Sequence, residues 1–140
     1  MKKERAIVLI DGSNFYFKLK DIKLNQLLDF DFSGFANMLS KNGKIVDAIY
    51  YVGKIKTNGS AKAEKMLADQ QKLFAHLQKH NFKYSLGYLL KSHGKFREKG
   101  VDVNIAVNML VATYENLSDR IILVSSDTDL LPAIKKAKEK

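Results

Sequence analysis

The chain has 140 residues, 46% of them apolar, a composition that supports one core in a single domain and argues against disorder. It carries 24 Lys and Arg against 15 Asp and Glu, and this net charge of +9 favours polyanionic partners such as nucleic acid. There is no cysteine, which excludes disulfides and thiolate-bound metals, leaves oxygen and histidine as the available metal ligands, and fits a reducing cytoplasm.

Ala6 to Ile10 is a continuously apolar, mostly β-branched run, the pattern of a strand buried on both faces of a parallel sheet. It is too short for a signal peptide, and no run approaches membrane-spanning length, so a soluble protein without a membrane partner is expected. The run ends at Asp11-Gly12-Ser13-Asn14. Phe32, Phe35, Ala36 and Leu39 then recur at helical spacing, with Asp31 or Ser33 to cap the helix and Gly43 to stop it. Ile45 to Val52 reads as a second strand. Ala63, Met66, Leu67, Leu73, Phe74 and Leu77 mark a long core-facing helix from Ser60 to about His80. Phe82 to Leu90 reads as a third strand and Lys91 to Gly100 as a polar, basic loop. Val101 to about Tyr114 is apolar enough for a nearly buried helix, and Ile121 to Val124 repeats the buried-strand pattern. After Ser125-Ser126-Asp127-Thr128-Asp129 a last helix begins, in which Pro132 is tolerable only in the first turn. Its basic end, Lys135, Lys136, Lys138 and Lys140, reads as a solvated face. Strand and helix thus alternate four times, which predicts one three-layer α/β domain spanning 1–140 with a mainly parallel sheet. A further edge strand beyond the supplied sequence is compatible with this pattern.

In open parallel sheets, ligands bind beyond the carboxyl ends of the strands. Asp11 and Asp127 fall at two such ends, Asp129 reaches the same side through the turn, and Asp102 opens a helix whose amide dipoles favour an anion. Carboxylates gathered in this way repel one another unless a cation intervenes. All-oxygen ligands suit Mg2+ or Mn2+, an ion able to polarise a phosphoryl oxygen and activate water. Lys91, Lys95, Arg97 and Lys99 are placed to hold phosphates beside it, and Tyr16 to stack on a base.

Three segments in this order resemble the NYN branch of the PIN-like nucleases, and within it the LabA-like proteins. They are Ile10-Asp11-Gly12-Ser13-Asn14-Phe15, Lys99-Gly100-Val101-Asp102-Val103 continuing to Asn108-Met109-Leu110, and Leu123-Val124-Ser125-Ser126-Asp127-Thr128-Asp129-Leu130-Leu131-Pro132. The resemblance covers essentially the whole chain. It implies strand order 3-2-1-4-5, with the first and fourth strands adjacent and the fifth beyond the supplied C-terminus. It also implies a metal-dependent ribonuclease with Asp11, Asp102, Asp127 and Asp129 as catalytic and metal-binding residues and Asn14 as their polar neighbour. Two positions depart from the pattern: Asn108 stands where many relatives place an aspartate, and Ser126 replaces a usual glycine. Asn108 can orient water or a ligand but cannot act as a base, and on helix geometry it lies well around from Asp102.

The expected function is therefore an endoribonuclease acting on RNA, single-stranded rather than duplex, with a catalytically weak or inactive RNA-binding module of the same fold as the alternative. A phosphatase acting on small phosphate esters is a weaker third reading, and a homodimer is left open. His76 and His80 have the i, i+4 spacing of a helical zinc site but lack the wider motif, and with His93 they read as surface residues. Tyr50, Tyr51, Tyr84 and Tyr88 lie in predicted strands, where alternation buries some and exposes others.

Overall fold

The computed structural model describes residues 3–12, 30–41, 43–53, 59–92, 95–125 and 128–140, apart from the side chains of 62, 63, 66, 88–92 and 95–99. Asn14, Tyr16, Ser126 and Asp127, and also His93, lie outside the described residues. The elements run β1 (Arg5–Asp11), α1 (Phe32–Ser40), β2 (Lys44–Gly53), α2 (Ala61–Lys79), β3 (Lys83–Ser92), β4 (Lys95–Lys99), α3 (Val101–Tyr114), β5 (Arg120–Val124), a 3-10 turn (Thr128–Leu130) and α4 (Leu131–Lys138).

The sheet order is β4-β3-β2-β1-β5. Its four parallel members give the expected order 3-2-1-4, so β1 and the last parallel strand are neighbours, paired from Ala6↔Arg120 to Ile10↔Val124. β1 is central because successive residues must suit two cores. Val8 and Ile10 pack with Phe32, Ala36, Tyr50, Phe74 and Leu77 under α1 and α2. Ile7 and Leu9 pack with Tyr51, Val101, Ile105, Met109 and Leu130 under α3 and α4. The consecutive tyrosines Tyr50 and Tyr51, 1% and 0% exposed, are buried in opposite layers, which is why the run of apolar residues there does not alternate.

The helix boundaries follow local chemistry. Asp31 caps α1 by accepting the Gly34 N–H at 3.0 Å. The helix ends at Lys41, which adopts the left-handed conformation at φ 47°, rather than at Gly43. Pro132 occupies the first turn of α4, where its missing N–H costs nothing. At the amino edge, the Arg5 guanidinium bonds Asp119 through Nη2 at 3.1 Å and Nε at 3.3 Å, tying the start of β1 to the loop that leads into β5. Val46 is the extra residue where the β1–β2 register shifts, from Ala6↔Ile45 to Ile7↔Asp47, and it is 40% exposed.

Four expectations need correction. Residues 91–92 and 95–99 lie in strands and not in the expected loop: β3 continues to Ser92 and pairs antiparallel with β4, from Tyr88↔Lys99 to Ser92↔Lys95. β2 ends opposite Gly87, so this pairing projects past the carboxyl edge of the parallel sheet as a two-stranded ribbon. β5 is half-buried along its whole length instead of fully buried, because it is an edge strand with one neighbour. α3 is not nearly buried: Val101, Ile105, Met109 and Ala112 face the core, whereas Val103, Val107, Val111 and Tyr114 form an exposed stripe.

The fourth correction concerns His76 and His80, which are half-buried rather than on the surface. His76 Nε2 donates to the Phe30 carbonyl at 2.8 Å, and His80 Nδ1 lies 2.9 Å from the Ser33 hydroxyl, so the pair joins α2 to the start of α1. Their i, i+4 spacing serves packing against Phe32 and not a metal.

Candidate nuclease site at the carboxyl edge

Alternation along β1 places Asp11 on the same sheet face as Ile7 and Leu9, the side covered by α3 and α4. The residue is 7% exposed, and its Oδ2 accepts the Ser125 hydroxyl at 3.0 Å. This contact follows from register. Ile10 pairs with Val124, so the first residue beyond β5 comes level with the last residue of β1. Strand order and register together therefore bring Asp11 and Ser125 to adjacent strand ends.

Gly12 follows at a point where a side chain has no room. An added Cβ would lie 2.4 Å from the Tyr51 carbonyl oxygen and 2.5 Å from Tyr50 Cε1. The Tyr50 hydroxyl donates to the Gly12 carbonyl at 3.3 Å, so Gly12 is clamped from the neighbouring strand. Tyr51 is the register partner of Asp11. Its hydroxyl accepts the Asn108 amide at 2.7 Å, and burial pushes its pKa up to about 12, against the smaller opposing effect of that hydrogen bond. The phenol therefore stays protonated near neutral pH and holds Asn108 against the end of β2.

Asp102 lies in the first turn of α3, behind the left-handed Gly100 at φ 84°. Val101 beside it packs into the core layer containing Tyr51 and Leu9, which sets the start of α3 under the carboxyl edge. Asp102 is half-buried, and its Oδ1 accepts the N–H of Val103 at 3.1 Å. Asp129 is exposed within the 3-10 turn, whose buried Leu130 anchors it to the α3–α4 layer. Among the described residues, no three His, Asp or Glu side chains come close enough together to hold a metal. Asp127 is outside that set.

Sequence reasoning missed Ser125, Gly12 and Tyr51. Ser125 was discoverable once β1 and β5 were taken as neighbours, by counting register from Ile10. Gly12 carried a weaker signal as a glycine directly after a buried strand. Tyr51 carried none, because the face of a residue in an unbroken apolar run is not readable without its pairing.

A family model described as the NYN domain matches residues 5–140. The chain belongs to the NYN domain family. None of the curated proteins matches it. Among solved structures, a protein of unknown function from Vibrio parahaemolyticus is similar at 23% identity and TM-score 0.69, over 99% of this chain and 76% of that one, a likeness of fold. More distant is a bacteriophage T5 5′-exonuclease with divalent zinc ions bound, 18% identical at TM-score 0.47, over 92% of this chain and 52% of that one. The T5 flap endonuclease in a pseudo-enzyme–product complex with DNA and metal ions is 18% identical at TM-score 0.43, over 90% of this chain and 50% of that one. The NYN chain thus spans about half the length of those phage proteins. Among its described residues no helix is long and apolar enough to cross a membrane.

Proposed function

We propose that this NYN protein is a divalent-metal-dependent endoribonuclease that hydrolyses RNA phosphodiester bonds at the carboxyl edge of its sheet. The observation that carries the reading is the nearly buried Asp11 carboxylate at the end of the central strand, oriented by Ser125 from the adjacent strand end. A carboxylate placed there at the cost of desolvation needs a reason, and a cation supplies one.

The donor set fits a hard divalent ion. Asp11, Asp102, Asp127 and Asp129 offer only oxygen, the chain has no thiolate, and His76 and His80 are committed to packing α2 against α1. Asp11 and Asp127 would hold the ion directly, Asp102 from the first turn of α3, and Asp129 through water. When bound, Mg2+ or Mn2+ supplies Lewis-acid polarisation of a phosphoryl oxygen and activation of water. Ser125 orients Asp11, and Asn14 and Ser126 would support the ligands. Phosphates are drawn in by the net charge of +9 and gripped by Lys91, Lys95, Arg97 and Lys99, with Tyr16 stacking on a base.

Asn108 favours a second reading, an RNA-binding module with little or no turnover. Its amide donates to Tyr51 at a position where the resembling family often carries a carboxylate, so it adds no negative charge and no base. One assay separates the two. Labelled single-stranded RNA is incubated with Mn2+ or Mg2+ and the unaltered protein, Asp11→Asn or Asp127→Asn. The nuclease reading predicts cleavage that falls at least about 100-fold in both variants, as expected when a transition-state charge stabiliser is removed. Salt-sensitive binding without products would establish the second reading, and cleavage unchanged in both variants would refute the nuclease reading.

A further inference from the structure

α3 is apolar on both of its faces. Val101, Ile105, Met109 and Ala112 are buried against the sheet. On the side turned away from it, Val103, Val107, Val111 and Tyr114 are 60%, 51%, 41% and 47% exposed, and the half-buried Leu110 lies among them. Val103, Val107, Leu110 and Tyr114 follow one another at spacings of four, three and four residues, the pattern of a two-helix coiled-coil seam. Of the 14 residues of α3 only Asp102 is charged, and it lies about 100° around the helix from Val103. A helix that is apolar all round is one buried on all sides. Within the chain α3 has a single buried side, and the three valines on the other lower helix propensity without any packing in return.

The chemistry of the stripe selects a second copy of this chain as its cover. A nucleic-acid strand or an anionic membrane surface calls for cations along the apolar row, and α3 supplies none. At a net charge of +9, two copies repel unless they meet where Lys and Arg are missing, as they are along this helix. The four exposed residues leave roughly 400 Å² uncovered, a patch of the size that is often functional. Two such stripes, with the flanks that close around them, bury on the order of 1,000 Å² in total, enough for a weak specific dimer. The ends of the stripe set the direction of pairing. Lys140 Nζ lies 5.1 Å from the centroid of the Tyr114 ring, so a parallel pair would set ammonium against ammonium and ring against ring. In an antiparallel pair Tyr114 of one copy meets the small Val103 of the other, and Val107 meets Leu110. The two Tyr114 ends are then about 17 Å apart along the axis, and the helix dipoles are opposed.

We propose that the protein forms a two-fold homodimer by antiparallel packing of α3 on α3, with Val103, Val107, Leu110 and Tyr114 as the seam. The proposal stands apart from the ribonuclease reading. Because α3 starts at the carboxyl edge, the pairing sets the two carboxyl edges at opposite ends of the dimer, and neither copy adds a residue to the other's acidic edge. An interface of this size gives a dissociation constant on the order of 10–100 μM.

The test is sedimentation equilibrium of the metal-free protein from about 5 to about 500 μM. The weight-average mass should climb from 15.9 kDa towards twice that value. Val107→Lys sets two like charges near the two-fold axis and should weaken the dimer at least tenfold, whereas Met38→Lys, at a 65% exposed apolar residue of α1, should leave it unchanged. Val107→Ala raises helix propensity, so it cannot act by unfolding α3, and it should still weaken the dimer several-fold. The chain has no cysteine, so single replacements report direction. Under a mild thiol oxidant, a mixture of Val103→Cys and Tyr114→Cys proteins should form a disulfide-linked dimer faster than either variant alone. A parent protein that stays monomeric throughout, or a dimer that Val107→Lys does not weaken, would overturn the proposal. Val103→Cys linking to itself faster than to Tyr114→Cys would overturn the antiparallel arrangement.

Discussion

Gly12→Ala tests whether the backbone beside Asp11 is as tightly fitted as its surroundings indicate. The added methyl would meet the Tyr51 carbonyl oxygen at 2.4 Å and Tyr50 Cε1 at 2.5 Å, both well inside van der Waals contact. Neither neighbour can yield cheaply: one is backbone in a parallel ladder, and the other is a ring 1% exposed, packed edge-on against Phe32 at 5.8 Å. The backbone at Gly12 must move instead. Overpacking of a rigid interior costs about 1–3 kcal/mol. Loss of the Tyr50 hydroxyl bond to the Gly12 carbonyl adds about 0.5–1.5 kcal/mol. The expected destabilisation is therefore about 1.5–4.5 kcal/mol, read as a lower urea midpoint at unchanged slope. Because Asp11 is the preceding residue, displacing Gly12 by about 1 Å should also cost on the order of 100-fold in RNA cleavage. A variant within about 0.5 kcal/mol of the parent, the range of inert surface changes, would refute the steric argument.

Alkaline titration examines the layer beneath the same edge. Tyr51 is held above its ordinary pKa, at about 12 against 10.0, so the unfolded chain releases this proton first. The associated stability is fully present below pH 10 and is lost as pH rises towards 12, a change of roughly 2–3 kcal/mol. The difference spectrum between the parent protein and Tyr51→Phe should show one tyrosinate forming only at that upper end, and formation near pH 10 would contradict the burial argument. Ser33→Ala removes the hydroxyl that bonds the His80 carbonyl at 3.1 Å and lies 2.9 Å from Nδ1. It should cost about 1–2 kcal/mol and lower the melting temperature by a few degrees, whereas an unchanged melt would show that the α1–α2 junction does not depend on it.

Elements with two buried sides or one continuous apolar face were legible in the sequence. β1 announced itself through Ala6 to Ile10, and α3 through the recurrence of Val101, Ile105 and Met109, because core burial dictates those spacings wherever they occur. The ribbon was not legible. Beyond Gly87 it has left the parallel sheet, so no core face imposes alternation on Lys95-Phe96-Arg97-Glu98-Lys99, and the charged run looks like a loop. The exposed stripe on α3 was misread for the reverse reason. Val103, Val107 and Val111 have the composition of a buried face, and nothing local distinguishes apolar residues turned to the core from those turned away.

The acidic edge was legible in part. That Asp11 ends a buried strand is a statement about sequence alone, but that it faces Ser125 and pairs with Tyr51 depends on register, which no local pattern encodes. The histidines show the converse. Their i, i+4 spacing is shared by metal sites and by ordinary packing, and only the partners Phe30 and Ser33, over forty residues away in sequence, decide between them.

Whether carboxylates at this edge hold a divalent ion is decided by anomalous diffraction from crystals soaked in Mn2+. An anomalous peak is expected within about 2.0–2.6 Å of oxygens from at least two of Asp11, Asp102, Asp127 and Asp129, and it should be abolished in crystals of Asp11→Asn. A well-ordered carboxyl edge with no anomalous density at millimolar Mn2+, or a peak that persists unchanged in Asp11→Asn, would contradict a metal site there.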